Sequence, residues 1–498
     1  MRKWLLRAGL LTVLACGFAL AQESEQPTSG PRNGEDVALL ARPYLQLGQG
    51  SQDEVSDHLD VLWLALASST GWSLEYREST ESQWKEASLT KRAIALGPVT
   101  PHIVYDATLT HLKPGEPFEY RLLRQNLPVF LGNAIAKSSE GDGYRFAVFG
   151  DGGANTQAQK RVAFEVYANK PALLVITGDI VYQSGTAAEY LSNFFPIYGA
   201  VKADPEVGAP LLSSTVAVGA PGNHDTNEDV GNEADDLAYF IYWSQPLNGP
   251  PLMPGGPNTP LGTDTDITPS HDNADRALAN IRSLAGEAYP RMENFSFDWG
   301  NSHWTILDSD GTVDWNDKGL RGWVERDLKN SRSQKWHFVA FHHAPFSSSM
   351  THFGDQQMRA LSSVFEAGHV DIVFAGHVHN YQRSYPLKFR IVDAEKPGNV
   401  PWSELIEKPV DGKIILDRRF DGVTRTRPKG VIYIVTGAGG QDLYNREQEN
   451  QPQSWQPFTA RYVARSHSFT LVDIHGGDLT LKQISDEGRV LDHIRVTK

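Results

Sequence analysis

The sequence predicts an N-terminal all-β sandwich followed by an α/β domain of mixed β-sheets flanked by helices. Three observations carry this expectation. Between residues 41 and 136, short alternating runs are separated by turn residues and show no helical period. From Tyr144 onward the rhythm changes to apolar runs that end in polar motifs, with helical segments at 157–169 and 318–329 between them. The chain is 498 residues long and 40% hydrophobic, enough for two or three packed domains.

In chain order, the first segment reads as a targeting signal. Arg2 and Lys3 precede an apolar run and the small-residue triplet Ala19-Leu20-Ala21, so residues 1–21 form a cleaved signal peptide and the protein is expected to be secreted or periplasmic. The signal lacks a twin arginine, so the chain crosses unfolded and takes up any metal afterwards. The only cysteine, Cys16, offers a second reading as an acylated lipoprotein anchor, against which stands the apolar Gly17-Phe18-Ala19-Leu20 that follows it. A single cysteine inside the signal also excludes an internal disulfide and a disulfide-linked dimer. Beyond residue 21 no stretch is apolar enough to span a bilayer. With 46 Lys+Arg against 60 Asp+Glu, a net charge of −14 offers no basic surface to a nucleic acid.

A polar linker, 22–38, leads to the sandwich, 39–140. Strand-like runs lie at 58–64, 72–76 and 117–123. Tyr120, shortly after the turn Lys113-Pro114-Gly115, makes 112–120 resemble the E–F corner of a fibronectin type III domain. No cluster of His, Asp or Glu stands out in this domain, so a structural or docking role is expected of it.

In the α/β domain, 141–498, five apolar runs each lead into a polar motif. Residues 145–149 lead to Gly150-Asp151-Gly152-Gly153, and 173–177 to Gly178-Asp179-Ile180-Val181-Tyr182. Residues 215–218 lead to Gly222-Asn223-His224-Asp225, 338–341 to His342-His343-Ala344-Pro345, and 370–375 to Gly376-His377-Val378-His379. Loops beyond the carboxyl ends of strands are where open α/β sheets hold their ligands. These loops supply carboxylates, an amide, a phenol and imidazoles, a donor set sufficient for two metal ions. Ions about 3.5–4 Å apart stabilise both oxygens of an in-line phosphoryl displacement. Taken singly, a Gly-Asp is an ordinary turn and an Asn-His-Asp an ordinary helix cap; the five together argue for a metal centre.

These motifs resemble the binuclear metallophosphoesterases, the calcineurin-like phosphoesterase superfamily, and with the sandwich in front they resemble its purple acid phosphatase branch. The resemblance runs from Pro43-Tyr44-Leu45-Gln46 to Thr497. It implies Fe(III) held by Asp151, Tyr182 and His379, a bridging Asp179, and a second ion, Zn(II), Mn(II) or Fe(II), held by Asn223, His377 and His343. His343 is preferred to His342 because the family's ligand lies two residues before a proline, and Pro345 stands there. The resemblance further implies that His224 bonds the phosphate, oriented by Asp225, and that His352, ahead of Met358-Arg359, protonates the leaving group. The implied activity is that of an exported phosphatase hydrolysing small phosphate monoesters with a metal-bound hydroxide. A phosphodiesterase or nucleotide hydrolase on the same core is the alternative among enzymes. A secreted binding or adhesion protein on an inactive phosphoesterase fold is the alternative of another class.

Two insertions interrupt the domain. Residues 226–293, rich in Asp, Asn, Gly and Pro, leave from the Asn223-His224 loop and read as a specificity lid or a surface loop. Residues 392–429 are charged and read as exposed. Thr436-Gly437-Ala438-Gly439-Gly440 lacks the Lys-Ser/Thr of a phosphate-binding loop and reads as a tight turn. His303, His337 and His369 read as packed or solvated, Arg383 as an ion-pair partner, and Asp308 as a turn residue.

Overall fold

The computed structural model describes residues 37–498 apart from 51–57, 98, 140, 142, 227–236, 251–278, 280, 394–395 and 397–398. The signal peptide with Cys16, the linker up to residue 36 and much of the first insertion therefore lie outside the described residues. No helix among the described residues is long and apolar enough to cross a membrane.

Eight strands, from Leu39–Gln46 to Leu127–Ile135, form two four-stranded antiparallel sheets. Their chain-order positions run 1-2-6-5 in one sheet and 4-3-7-8 in the other. Strand Trp72–Glu78 shows why: Trp72, Leu74 and Tyr76 are buried while Ser73, Glu75 and Arg77 alternate with them, the period of a strand with one wet face. Tyr120 does not close its own corner. Its hydroxyl donates to the Ser213 carbonyl at 2.6 Å, as the Tyr44 hydroxyl does to Tyr242 at 2.8 Å, and the two parts of the chain pack into one compact unit, residues 38–498.

The α/β part is built on two sheets. One orders Val216–Ala220, Leu173–Thr177 and Tyr144–Phe149, mutually parallel, beside the antiparallel Ser468–His475, Asp478–Ser485 and Val490–Thr497. The other carries Ser302–Ile306, Trp336–Phe341, Ile372–Ala375 and Ile432–Thr436 as a parallel core with antiparallel edges. Both faces of these strands are covered, which is why they read as continuous apolar runs. Phe146, Val148 and Val175 of the first sheet share one core with Trp304, Phe338, Phe374 and Ile432 of the second. Helices cover the outer faces. Gln157–Ala168 starts where Thr156 accepts the Gln159 N–H and buries Val162, Ala163 and Val166. Lys318–Asn330 starts on Asp317 and buries Leu320, Val324 and Leu328, one row at four-residue spacing.

Both insertions are anchored in the core where they are described. Ala238, Phe240, Ile241, Tyr242 and Trp243 of the first are buried, its helix Tyr239–Tyr242 being part of the core and not a loop over the site. The second is mostly exposed, as its charge suggests, but the buried Trp402, Leu405 and Val410 and the pairing of Gly412–Leu416 with Leu387–Ile391 anchor it. Apolar residues spaced through a charged stretch account for this. The Thr436–Gly440 turn is fixed to the Asp151 loop, because Gly439 N–H donates to the Gly150 carbonyl at 3.1 Å.

His303 is packed and ion-paired: Nδ1 lies 2.7 Å from Asp298 and Nε2 3.0 Å from Asp327. Burial alone would lower its pKa, but Asp327 and then Asp298 raise it to about 9. A histidine raised in the fold adds stability that is complete below the unfolded value, about 6.5, and is lost as pH rises through the folded one. Denaturant unfolding at pH 6 and pH 9.5 is expected to show the wild type losing about 3 kcal/mol more than His303→Gln over that window. Equal losses would mean that the ion pairs do not raise the His303 pKa above its unfolded value. Arg383 forms a two-pronged pair with Asp492, at 2.6 and 3.2 Å.

Candidate metal centre

All five expected strands are present, and their carboxyl-terminal loops converge. Asp151, Asp179 and His377 adopt positive φ of 59°, 50° and 66°. Non-glycine residues seldom occupy this region, and such turns cluster where a side chain must be aimed at a site. Glycine is required beside them: a Cβ on Gly222 would stand 2.3 Å from the Asp179 backbone nitrogen.

Two groups of donors meet on Asp179. The Tyr182 hydroxyl lies 2.8 Å from Asp179 Oδ2, 3.1 Å from Asp151 Oδ1 and 3.3 Å from His379 Nε2. His342 Nε2 lies 3.2 Å from Asp179 Oδ1, 3.0 Å from Asn223 Oδ1 and 3.2 Å from His377 Nδ1. Donors that share an ion at about 2.1 Å stand about 3 Å apart when the bonds are near right angles, so each group fits one cation, with Asp179 between them. Charge agrees with this reading. Burial, then Asp151 and Asp179, push the Tyr182 phenol well above its usual pKa. Burial pulls His342 down, yet Asp179 lifts it to about 10. Two buried carboxylates demand positive charge at this point, which bound cations would supply.

Two expectations need correction. His342, not His343, reaches the donor group. Adjacent residues leaving a strand point to opposite sides; His343 Nδ1 instead lies 3.0 Å from Ser309 Oγ. The Thr177 carbonyl, 2.8 Å from His342 Nδ1, turns Nε2 to the centre. Asp225 does not orient His224. Its carboxylate accepts from Ile180 N–H at 3.0 Å and Gly222 N–H at 2.9 Å, tying the Asp179 loop to the Asn223 loop. His224 is held by the Gln183 carbonyl, 2.6 Å from Nδ1, with Nε2 3.9 Å from Asp179. His352 does come to the centre, its ring centroid 4.0 Å from that of His377.

Residues that sequence reasoning missed complete the surroundings. His379 Nδ1 lies 2.8 Å from the Asp442 carbonyl, and Tyr444 stacks on its ring at 4.0 Å. Asp355 lies between His352 and His377. The His352/Asp355 spacing was a usable signal; backbone carbonyls at Thr177, Gln183 and Asp442 leave none in a sequence. Asp308, read as a turn residue, accepts the Asp310 N–H at 2.7 Å but is fully buried.

Comparison with known proteins follows the same lines. The family model for calcineurin-like phosphoesterases matches residues 144–381, and that for the iron/zinc purple acid phosphatase-like protein C matches residues 430–493. Acid phosphatase type 7 of Mus musculus is 22% identical over 423 residues, 79% of this chain and 77% of the relative. Purple acid phosphatase 13 of Arabidopsis thaliana is 24% identical over 408 residues, 78% of this chain and 62% of the relative. In fold, the chain is similar to the purple acid phosphatase from yellow lupin (Lupinus luteus) seeds, with a TM-score of 0.58 and 15% identity over 91% of this chain and 74% of that one.

Proposed function

Because the chain belongs to the purple acid phosphatase-like metallophosphoesterases, metal-dependent hydrolases of phosphoric esters, we propose that it is an exported phosphatase of small phosphate monoesters. The observation that carries this reading is the pair of donor groups sharing Asp179. Asp151, Tyr182 and His379 would hold Fe(III) with Asp179, and Asn223, His342 and His377 would hold Zn(II), Mn(II) or Fe(II) with it. When bound, such a pair polarises the phosphoryl oxygens and provides a nucleophile at neutral pH.

The chain's own groups divide the remaining work. His224 directs Nδ1 to the Gln183 carbonyl, which leaves Nε2 to face a phosphate oxygen. His352 likewise directs Nδ1 to Asp355 and, as the imidazolium, gives its Nε2 proton to the departing alkoxide. Asp225 keeps the two loops in register. Residues 39–140 form a fibronectin III-like domain with a structural or docking role, its boundary near residue 140.

The test is hydrolysis of an aryl phosphate against a bis-aryl phosphate by iron- and zinc-loaded protein, with its visible spectrum. Monoester preference and a broad visible band are expected, and Tyr182→Phe should abolish the band while keeping some hydrolysis. Cleavage of the diester alone would overturn the monoesterase reading, and an active iron enzyme without the band would overturn Tyr182 as a ligand.

A further inference from the structure

We propose that Asp355 is a positioning residue that serves the second-metal ligand and the leaving-group acid at once, an inference that rests on the roles just proposed for His377 and His352. One oxygen makes both contacts. Asp355 Oδ2 lies 2.8 Å from His377 Nε2 and 3.0 Å from His352 Nδ1. Because His377 Nδ1 faces His342 Nε2 at 3.2 Å, Asp355 holds the ring nitrogen that points away from the donor group. A carboxylate behind a ligating imidazole fixes the tautomer and the ring plane, leaving the other nitrogen's lone pair for the ion. The same oxygen turns His352 so that its free nitrogen faces away from Asp355, with its ring against that of His377.

The loop that carries Asp355 is braced from both sides. Arg359 donates from Nε to the Pro345 carbonyl at 2.7 Å and from Nη1 to the Val410 carbonyl at 2.9 Å. Gln356 Oε1 accepts the Val410 N–H at 3.1 Å. The loop is thereby fixed to the His342-His343 turn and to the second insertion, and the insertion gains a role in placing the leaving-group acid. Linking both imidazoles through one carboxylate fixes the proposed proton donor relative to the proposed ligand His377.

The test is Asp355→Asn beside His352→Ala, with zinc affinity of the iron-loaded protein read by calorimetry and hydrolysis of glycerol phosphate compared with that of nitrophenyl phosphate. Asp355→Asn should weaken zinc binding about 10- to 100-fold, keep the visible band, and lower the glycerol-to-nitrophenyl rate ratio. His352→Ala should lower the ratio alone, and Asp355→Glu should restore part of both effects. An Asp355→Asn protein that changes only one of the two readouts overturns the shared role, and one that merely melts lower with both intact makes Asp355 structural. If the wild type hydrolyses neither ester, the phosphatase reading falls, while the zinc titration still decides the contact to His377.

Discussion

Replacing Asp179 by alanine is expected to remove both metals and activity together. Asp179 is almost fully buried, and its two oxygens face different donor groups, Oδ2 toward Tyr182 and Oδ1 toward His342. Burial by itself would favour the protonated carboxyl, but His342, then His224 and His377, hold it well below the usual carboxylate range. Oδ1 also accepts the His224 backbone N–H at 3.0 Å. Alanine would therefore leave two incomplete donor groups and loosen the loop that carries His224. Metal analysis after dialysis should fall from two ions per chain to fewer than one, and turnover by about 10³-fold or more, the scale of several kcal/mol of lost charge stabilisation. His224→Ala supplies the contrast: it should keep its metal and slow turnover by about 10²- to 10⁴-fold. Two ions retained in Asp179→Ala would end the bridging role, and metal lost in His224→Ala would exchange the two.

Which parts of this site can be seen in the sequence follows from what a side chain reveals. Strands covered on both faces announce themselves as apolar runs, and the motifs at their ends name candidate donors, so Asp151, Asp179, Tyr182, Asn223, His377 and His379 stand in loops that converge. Orientation is harder. His342 and His343 have identical chemistry, and only the direction in which the backbone leaves Trp336–Phe341 tells them apart. The proline spacing favours His343, while the Thr177 carbonyl and Ser309 hydroxyl assign the rings the other way. Asp225 fails for a related reason: adjacency to His224 suggests a pair, yet its carboxylate is drawn to the unpaired N–H groups of Ile180 and Gly222. Average charge marks 392–429 as exposed, which most of its described residues are, yet it hides single buried anchors such as Trp402 and Leu405.

The assignment of the paired histidines yields the second large effect. His342→Ala removes the imidazole whose Nε2 stands within 3.2 Å of Asp179, Asn223 and His377 donors, so the second ion should be lost, the first retained with its visible band, and turnover lowered by about 10³-fold or more. His343→Ala removes a buried ring that packs 4.3 Å from His377, centroid to centroid, and offers its nitrogen to Ser309. Its effect should be of another kind. Packing is lost and His377 gains some freedom, so both ions should stay bound while turnover falls by about tenfold to a hundredfold, the range seen when a group behind a ligand is lost. Metal content per chain separates the two variants whatever their absolute rates. If His343→Ala sheds the second ion and His342→Ala keeps it, the proline spacing is the better guide and the ring directions described above are wrong. Loss of the ion in both would make the pair a joint ligand, with Ser309 competing for one of its members.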